Sequence, residues 1–241
     1  MICGPGVLVL LRHGQSISNA AREFTGWLDS PLTALGRRQS VQAGRRLAAA
    51  GVYPDAVHTS LLSRAMVSAD LALAQAGRYP VPVRRSWRLN ERHYGALTGR
   101  NKEAVRAEVG EQRYRQWRNS LQVAPPPMGE DALQQLRRDP RYAALAGEQV
   151  PASESLGEVL ARLLPYWTDV LVPELAAGWT VLVVAHGNSL RALVCHLDHL
   201  SQTELTATRT GPGAPLKYQF NDSLRPVRRG GVLLPAAPTT T

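Results

Sequence analysis

Two histidines stand in matched settings, Arg12-His13-Gly14-Gln15-Ser16 and His186-Gly187-Asn188-Ser189. Each closes a short apolar run and is followed by glycine, an amide residue and serine. A lone histidine is more often structural than chemical. Two in one context, with Arg12 beside the first and Asn188 close behind the second, point to a shared task. Imidazole is nucleophilic near neutral pH because a useful fraction is already deprotonated. The fitting chemistry is phosphoryl transfer through a covalent histidine intermediate. Guanidinium groups, a second histidine and backbone amides would then meet the charge on the transferred oxygens. No aspartate-rich cluster suggests magnesium, so the expectation is a centre with no metal, in which arginines take the place of the ion.

The elements that must hold these residues follow from patterning. The runs at 6–11 and 180–185 have the length and valine content of buried strands. Between them, Thr33 reads as the N-cap of a helix that carries Leu35, Val41 and Leu47 and stops at Gly51. Residues 54–59 and 81–85 read as strands, 61–76 as a helix, and Ser155-Leu156-Gly157-Glu158 as a capping box opening another. A last helix is expected over 189–200. This alternation predicts an α/β fold, a mostly parallel sheet with helices on both faces. The ligand crevice of such sheets lies outside the carboxyl ends of the strands, where both histidines fall. Glycine after each histidine allows close backbone approach, and the N–H groups of the following helix starts offer an anion site. Residues 86–150 are polar and arginine-rich, with helical periodicity only over 102–117, and read as a lid-like, substrate-side insertion. The expected organisation is one domain over 1–229 and a flexible low-complexity tail over 230–241.

Composition excludes several classes. With 44% hydrophobic and 20% charged residues, the 241-residue chain can bury a core, unlike a disordered one. The longest apolar runs are far too short to span a bilayer, and Met1–Gly6 lacks the features of a secretory signal, so no membrane association and a cytoplasmic location are expected. Two cysteines, Cys3 and Cys195, make neither a disulfide scaffold nor a four-cysteine zinc site. The net charge is +9, and of 28 basic residues only Lys102 and Lys217 are lysine. That bias reads first as the composition of a GC-rich genome. The arginines are scattered from Arg12 to Arg229 rather than gathered in a stripe, which disfavours nucleic acid and favours small anionic substrates.

Leu11-Arg12-His13-Gly14 is similar to the signature of the histidine phosphatase superfamily. Phe24-Thr25-Gly26-Trp27, Thr59-Ser60-Leu61-Leu62-Ser63-Arg64-Ala65, Asn90-Glu91-Arg92-His93-Tyr94-Gly95 and Ala185-His186-Gly187-Asn188-Ser189-Leu190-Arg191-Ala192 narrow the resemblance to the cofactor-dependent phosphoglycerate mutases, over roughly residues 7–200. The resemblance implies the three-layer phosphoglycerate-mutase-like fold and metal-independent interconversion of 3- and 2-phosphoglycerate in glycolysis and gluconeogenesis, primed by 2,3-bisphosphoglycerate. It implies that His13 is the phosphorylated nucleophile, that Arg12, Arg64 and His186 bind the phosphoryl group, and that Glu91 is the general acid and base. Asn19, Thr25, Gly26, Gly187 and Asn188 would complete the phosphate pocket, and Tyr94, Lys102 and Arg118 would hold the rest of a small phosphorylated carboxylate. Relatives differ in whether they form a homo-oligomer, so the oligomeric state stays open.

Read alone, each residue has a plainer role. Glu91 could pair with Arg88 or Arg92 on the surface, Tyr94 could be core or pocket, and Trp27, Trp87 and Trp167 are packing residues. His58, His93, His196 and His199 are not expected to be catalytic, with the last two on a helix surface. Cys195 reads as a buried small hydrophobe. The chain departs from the family pattern at Ser18, where a large residue is usual, at Asn119, where a second arginine follows Arg118, and over 210–216. These departures fall on the substrate-holding rim and spare the phosphoryl-transfer centre. Two other readings therefore stand beside the mutase: a diverged phosphatase or mutase for another small phosphorylated acid, and a non-catalytic protein that kept the fold. Retention of His13, Arg12, Arg64, Glu91 and His186 disfavours the last.

Overall fold

A computed structural model describes residues 5–208 and 210–236. The expectations for Met1–Gly4 (Cys3 included) and for 237–241 lie outside the described residues. In chain order the elements are β1 (Val7–Arg12), α1 (Ile17–Ala20), α2 (Ala34–Ala49), β2 (Ala56–Thr59), α3 (Ser63–Gln75), β3 (Val83–Arg85), α4 (Lys102–Asn119) and α5 (Glu130–Arg137). Then come α6 (Leu156–Tyr166), α7 (Val172–Ala176), β4 (Thr180–Ala185), α8 (Gly187–Asp198), α9 (Gln202–Ala207), β5 (Leu216–Gln219) and β6 (Val232–Leu233). The six strands form one sheet in the order β3-β2-β4-β1-β5-β6. β3, β2, β4 and β1 run parallel, and β5 is antiparallel to both of its neighbours.

The apolar runs are continuous because both faces of the sheet are covered. Leu8 and Leu10 of β1, with Val181 and Val183 of β4, join the core beneath α6, α7 and α8. Their alternates Val9, Leu11, Leu182 and Val184 join the core beneath α2 and α3. Alternation along a strand thus feeds two cores at once, which a polar-out strand could not do. The β1–β4 register pairs Arg12 with Ala185, so His13 and His186 leave the sheet edge in step.

Several expectations are corrected. α8 begins at Gly187, two residues before the expected start, and ends at Asp198 with His199 in the left-handed region (φ 50°). α4 is interrupted at Gly110, whose φ of 76° and ψ of 162° break the helical path. β3 covers Val83–Arg85, two residues shorter at its start than the expected 81–85 strand, and is an exposed edge strand. His196 is half-buried against Trp167 (ring centroids 6.2 Å apart) rather than on an open helix surface. The 86–150 region holds α5 and buries Leu133, Tyr142 and Val150 around Trp27, so less of it is loop than its composition suggests. The flexible tail expected from Gly230 is instead structured at its start: Val232–Leu233 pairs with β5, and Leu234 is buried in the α2–α3 core.

Burial gives the fold a pH limit. His13, His58, His93, His186 and His196 all have pKa values lowered by desolvation as the largest cause. His93 falls to about 4, with Arg162 adding to the effect. Its Nδ1 accepts the Gly95 N–H at 3.0 Å, a bond that a protonated ring cannot keep. Below pH 6.5 the unfolded chain takes up protons that the folded protein refuses, so stability falls as pH falls. For His93 alone the loss accumulates from about pH 6.5 to about 4 and reaches about 3 kcal/mol. The urea midpoint should therefore drop steadily between pH 7 and 4.5. A flat midpoint over that range would contradict the buried neutral histidines.

Candidate active site

His13 is almost fully buried at the end of β1, its ring 4.9 Å from that of His186. Its Nδ1 lies 2.6 Å from the Gly14 carbonyl. A carbonyl only accepts, so Nδ1 carries the proton and Nε2 keeps its lone pair. Burial, with Arg64 and Arg12 nearby, holds the pKa well below the ordinary histidine value. The ring is thus neutral and poised with one defined nucleophilic nitrogen. Gly14 permits this placement, since a Cβ there would stand 2.0 Å from the Gly36 carbonyl oxygen. His186 is fully buried and its Nε2 lies 2.7 Å from the Ser60 hydroxyl. Its pKa is lowered in the same way, by burial first and then by Arg64.

A ring of unsatisfied polar atoms surrounds the pair. Arg12 Nε, Arg64 Nε, His186 Nδ1 and Thr25 Oγ1 are buried without a hydrogen-bond partner among the described residues. Buried polar atoms are rarely left so, and several converging on one point ask for a polyanionic guest. The guanidinium groups are aimed by their remaining nitrogens. Arg64 donates to the carbonyls of Leu28 (2.9 Å) and Gly26 (2.8 Å), and Arg12 to that of Thr210 (3.0 Å). Burial lowers the Arg64 pKa to about 10, which leaves it charged at neutral pH. Gly26 adopts φ +53°, a region costly for other residues, to bring its carbonyl to Arg64. The N-terminus of α8 opens onto the same point and adds its partial positive charge.

Glu91 is buried, not on the surface, and has no ion pair with Arg88 or Arg92. Its Oε1 accepts from Arg92 N (2.9 Å), Asn188 N (3.1 Å) and Asn188 Nδ2 (3.0 Å). Its Oε2 has no partner among the described residues, so one oxygen is clamped and the other is available to the cleft. Asn188 Nδ2 also donates to the Tyr94 hydroxyl at 2.9 Å, tying these three residues into one unit. Tyr94 resolves its two readings by being both: it lines the cleft and packs with Phe24, Leu97 and Val105. Its phenol pKa is lowered, because Arg92 and Arg118 outweigh an opposing desolvation effect that is the largest single contribution.

The cleft over this centre has a volume of about 340 Å³. Every proposed site residue lines it except His186, whose ring centroid is 4.9 Å from that of His13. Asn19 reaches it from the end of α1, where its side chain also accepts the Ser16 N–H. Lys102 and Arg118 enter from the two ends of α4, Arg118 donating to the Tyr114 hydroxyl at 3.1 Å. The Lys102 pKa is lowered, by burial first and then by Arg118 and Arg12, while Tyr94 and Glu91 oppose them. Among the described residues no cluster of histidine, cysteine and carboxylate side chains is arranged to hold a metal ion.

Sequence reasoning missed several residues. Glu23, Tyr114, Arg115, Arg191 and Thr210 also line the cleft. Arg191 Nη1 donates to Asn188 Oδ1 at 3.3 Å, and the signal for it was available, since residues three apart share a helix face. Arg162 and Glu154 carried no such signal. Arg162 is paired with Glu154 (2.5 Å) and donates to the carbonyls of Arg88 (2.6 Å), Asn90 (2.9 Å) and Glu91 (3.1 Å). Trp27 Nε1 also donates to the Glu91 carbonyl, at 2.7 Å. This buried cluster fixes the segment that presents Glu91. His58 is outside the cleft, held between Tyr166 (2.8 Å) and Glu174 (2.7 Å).

Residues 8–143 and 133–225 match the model of the histidine phosphatase superfamily (branch 1). A 2,3-bisphosphoglycerate-dependent phosphoglycerate mutase of Thermobifida fusca (strain YX) is 52% identical over 227 residues, 94% of this chain and 92% of that protein. One of the same description from Mycobacterium leprae is 50% identical, covering 94% and 91%. Among solved structures, "Mycobacterial hydrolase 1" is 27% identical with a TM-score of 0.73, over 96% of this chain and 99% of that one. A mycobacterial glucosyl-3-phosphoglycerate phosphatase with bound VO3 is 26% identical with a TM-score of 0.71, over 94% and 100%.

Proposed function

The chain belongs to the histidine phosphatase superfamily, branch 1, and within it to the 2,3-bisphosphoglycerate-dependent phosphoglycerate mutases; from that premise we propose that it interconverts 3-phosphoglycerate and 2-phosphoglycerate through a phosphohistidine at His13. The observation that carries this reading is the presence, in one cleft, of one free imidazole nitrogen, one free carboxylate oxygen and the buried Nε atoms of Arg12 and Arg64, which have no hydrogen-bond partner among the described residues.

The chain's own residues perform each part. His13 Nε2 takes the phosphoryl group as the P–O bond to the donor breaks, while Arg12, Arg64 and His186 spread the charge on its oxygens. A monophosphoglycerate hydroxyl then attacks the same phosphorus as the N–P bond breaks. Its proton passes to Glu91 Oε2, and the reverse step returns it. Arg118, Lys102 and Tyr94 hold the carboxylate and the distal phosphate, and the unsatisfied atoms of the cleft suit such a guest. 2,3-Bisphosphoglycerate supplies the priming phosphoryl group. The guanidinium groups do the work of charge neutralisation, so turnover is expected to persist in excess chelator. The reading places the reaction in the cytoplasm, within glycolysis and gluconeogenesis.

Purified protein supplied with 3-phosphoglycerate should form the 2-isomer, faster when 2,3-bisphosphoglycerate is added. Absence of any conversion would overturn the reading. Release of phosphate alone would favour the second one, a phosphatase for a related acid, which a specific observation supports. Asn119 lines the cleft beside Arg118 and is neutral, so it lacks the bidentate fork that an arginine would bring to an anion. A hydrogen bond to a charged group is worth about 1.5–3 kcal/mol. Asn119→Arg is accordingly expected to raise kcat/KM for phosphoglycerate by about ten-fold or more. It should also lower the ratio of phosphate release to isomerisation. Unchanged values for both would remove Asn119 from the account of binding.

A further inference from the structure

Arg22 and Glu23 are adjacent and oppositely charged, and the backbone sends them to opposite places. Arg22 takes the left-handed region (φ 58°). Its guanidinium turns outward to Glu103, at 2.6 Å, on the exposed flank of α4. Glu23 donates its N–H to the Ser18 carbonyl (2.9 Å), forms a β-bridge with Asn101, and lines the cleft. The chain thus delivers the carboxylate, not the guanidinium, to a wall whose cations are Arg12, Arg64, Lys102, Arg115, Arg118 and Arg191. No hydrogen bond or ion pair engages that carboxylate among the described residues. Where six cations are within one cleft, an anion left unpaired serves no evident packing purpose.

Position decides what it acts on. The bridge to Asn101, with Lys102 N donating to the Arg22 carbonyl at 2.9 Å, sets Glu23 beside the start of α4. It therefore stands on the side of the cleft that α4 supplies, beside Lys102, whereas His13 is carried by the end of β1. A singly phosphorylated acid puts its phosphate at His13 and only a carboxylate toward the α4 side. A doubly phosphorylated one must place its second phosphate on that side.

We propose that Glu23 sets the charge limit of the cleft, opposing a second phosphate and so distinguishing doubly from singly phosphorylated three-carbon acids. This rests on the phosphoglycerate reading and adds to it a specificity-determining residue. Release of the bisphosphorylated acid before it reorients is then favoured by the protein's own charge. A carboxylate about 8 Å from a unit negative charge, in water-like surroundings, costs a factor of about two in binding. A phosphate carrying nearly two charges suffers about five-fold.

The test uses the full chain with His13→Ala, which binds without transferring, and compares it with His13→Ala/Glu23→Gln by calorimetry. At low ionic strength the added Glu23→Gln change should tighten 2,3-bisphosphoglycerate by about five-fold and 3-phosphoglycerate by only about two-fold. Both gains should vanish near 1 M salt, where the screening length is only about 3 Å. Glu23→Asp should keep the discrimination, and thermal melting reports whether each variant is folded. Equal effects on the two ligands, no effect, or a gain indifferent to salt overturns the proposal while leaving the phosphoglycerate reading intact. If neither ligand binds the His13→Ala protein or the unaltered enzyme, the phosphoglycerate reading falls and takes this proposal with it.

Discussion

Replacing His13 with alanine is expected to abolish the acid-labile phosphoryl label and to lower turnover by about 10⁴-fold or more. Nothing else in the cleft can stand in for it. His186 lies 4.9 Å away between ring centroids, but its Nε2 is engaged with Ser60 and it is not among the residues that line the cleft. An N-phosphoryl bond is lost in acid while a seryl phosphate survives, so the label's stability identifies the nucleophile. Label that survives acid, or turnover of the variant well above background, would contradict the histidine route. Because the His13 pKa is held well below the ordinary value, the unaltered enzyme should also keep forming the label as pH falls from 7.5 to 6. A sharp loss across that interval would mean that the ring is not neutral in the folded protein.

Glu91→Gln should reduce isomerisation by about 10²–10⁴-fold with little change in KM. Glutamine retains the oxygen that accepts from Arg92 N, Asn188 N and Asn188 Nδ2, so the local structure is preserved. The Oε2 position becomes an amide nitrogen that cannot receive the proton of an attacking hydroxyl. An activated aryl phosphate, whose leaving group needs no proton, should still phosphorylate His13 at close to the normal rate. That split separates a proton-transfer role from a packing role. Loss of labelling from the activated donor, or unchanged isomerisation, would remove Glu91 from the chemistry.

How far the sequence carries depends on whether a feature is local. The two buried strands were legible because apolar residues on consecutive positions admit few other placements, and the parallel register then brings His13 and His186 together. The start of α8 was misplaced because Ser189 looks like an N-cap. It is the third helical residue, its hydroxyl accepting the His186 N–H at 3.1 Å, and His186 holds the cap position itself. β5 and β6 were not anticipated because four and two residues carry too little pattern, and β5 pairs with β1, some two hundred residues earlier, while β6 pairs only with β5. The orientation of Glu91 was equally hidden. Neighbouring Arg88 and Arg92 offer a surface pairing, but Arg88 donates to the Arg162 carbonyl (2.8 Å) and Arg92 lies over the Tyr94 ring. Those alternatives are settled by Arg162, some seventy residues later in the chain. Glu23 escaped for the opposite reason: only the left-handed turn at Arg22 shows which of two adjacent charges faces inward.

The central place of β1 has a consequence for how the protein comes into being. β1 is made before either of its partners, yet its neighbours are β4 at 180–185 and β5 at 216–219. During synthesis the Val7-Leu8-Val9-Leu10-Leu11 segment therefore waits with both edges unpaired until nearly the whole chain has left the ribosome. Pairings so distant in sequence slow folding, since a large loop must close before any contact rewards it. An apolar strand with open edges is also a template for joining other chains. The same topology that aligns the two histidines leaves the nascent chain open to aggregation, and an interrupted chain that stops before β4 never brings His13 and His186 together.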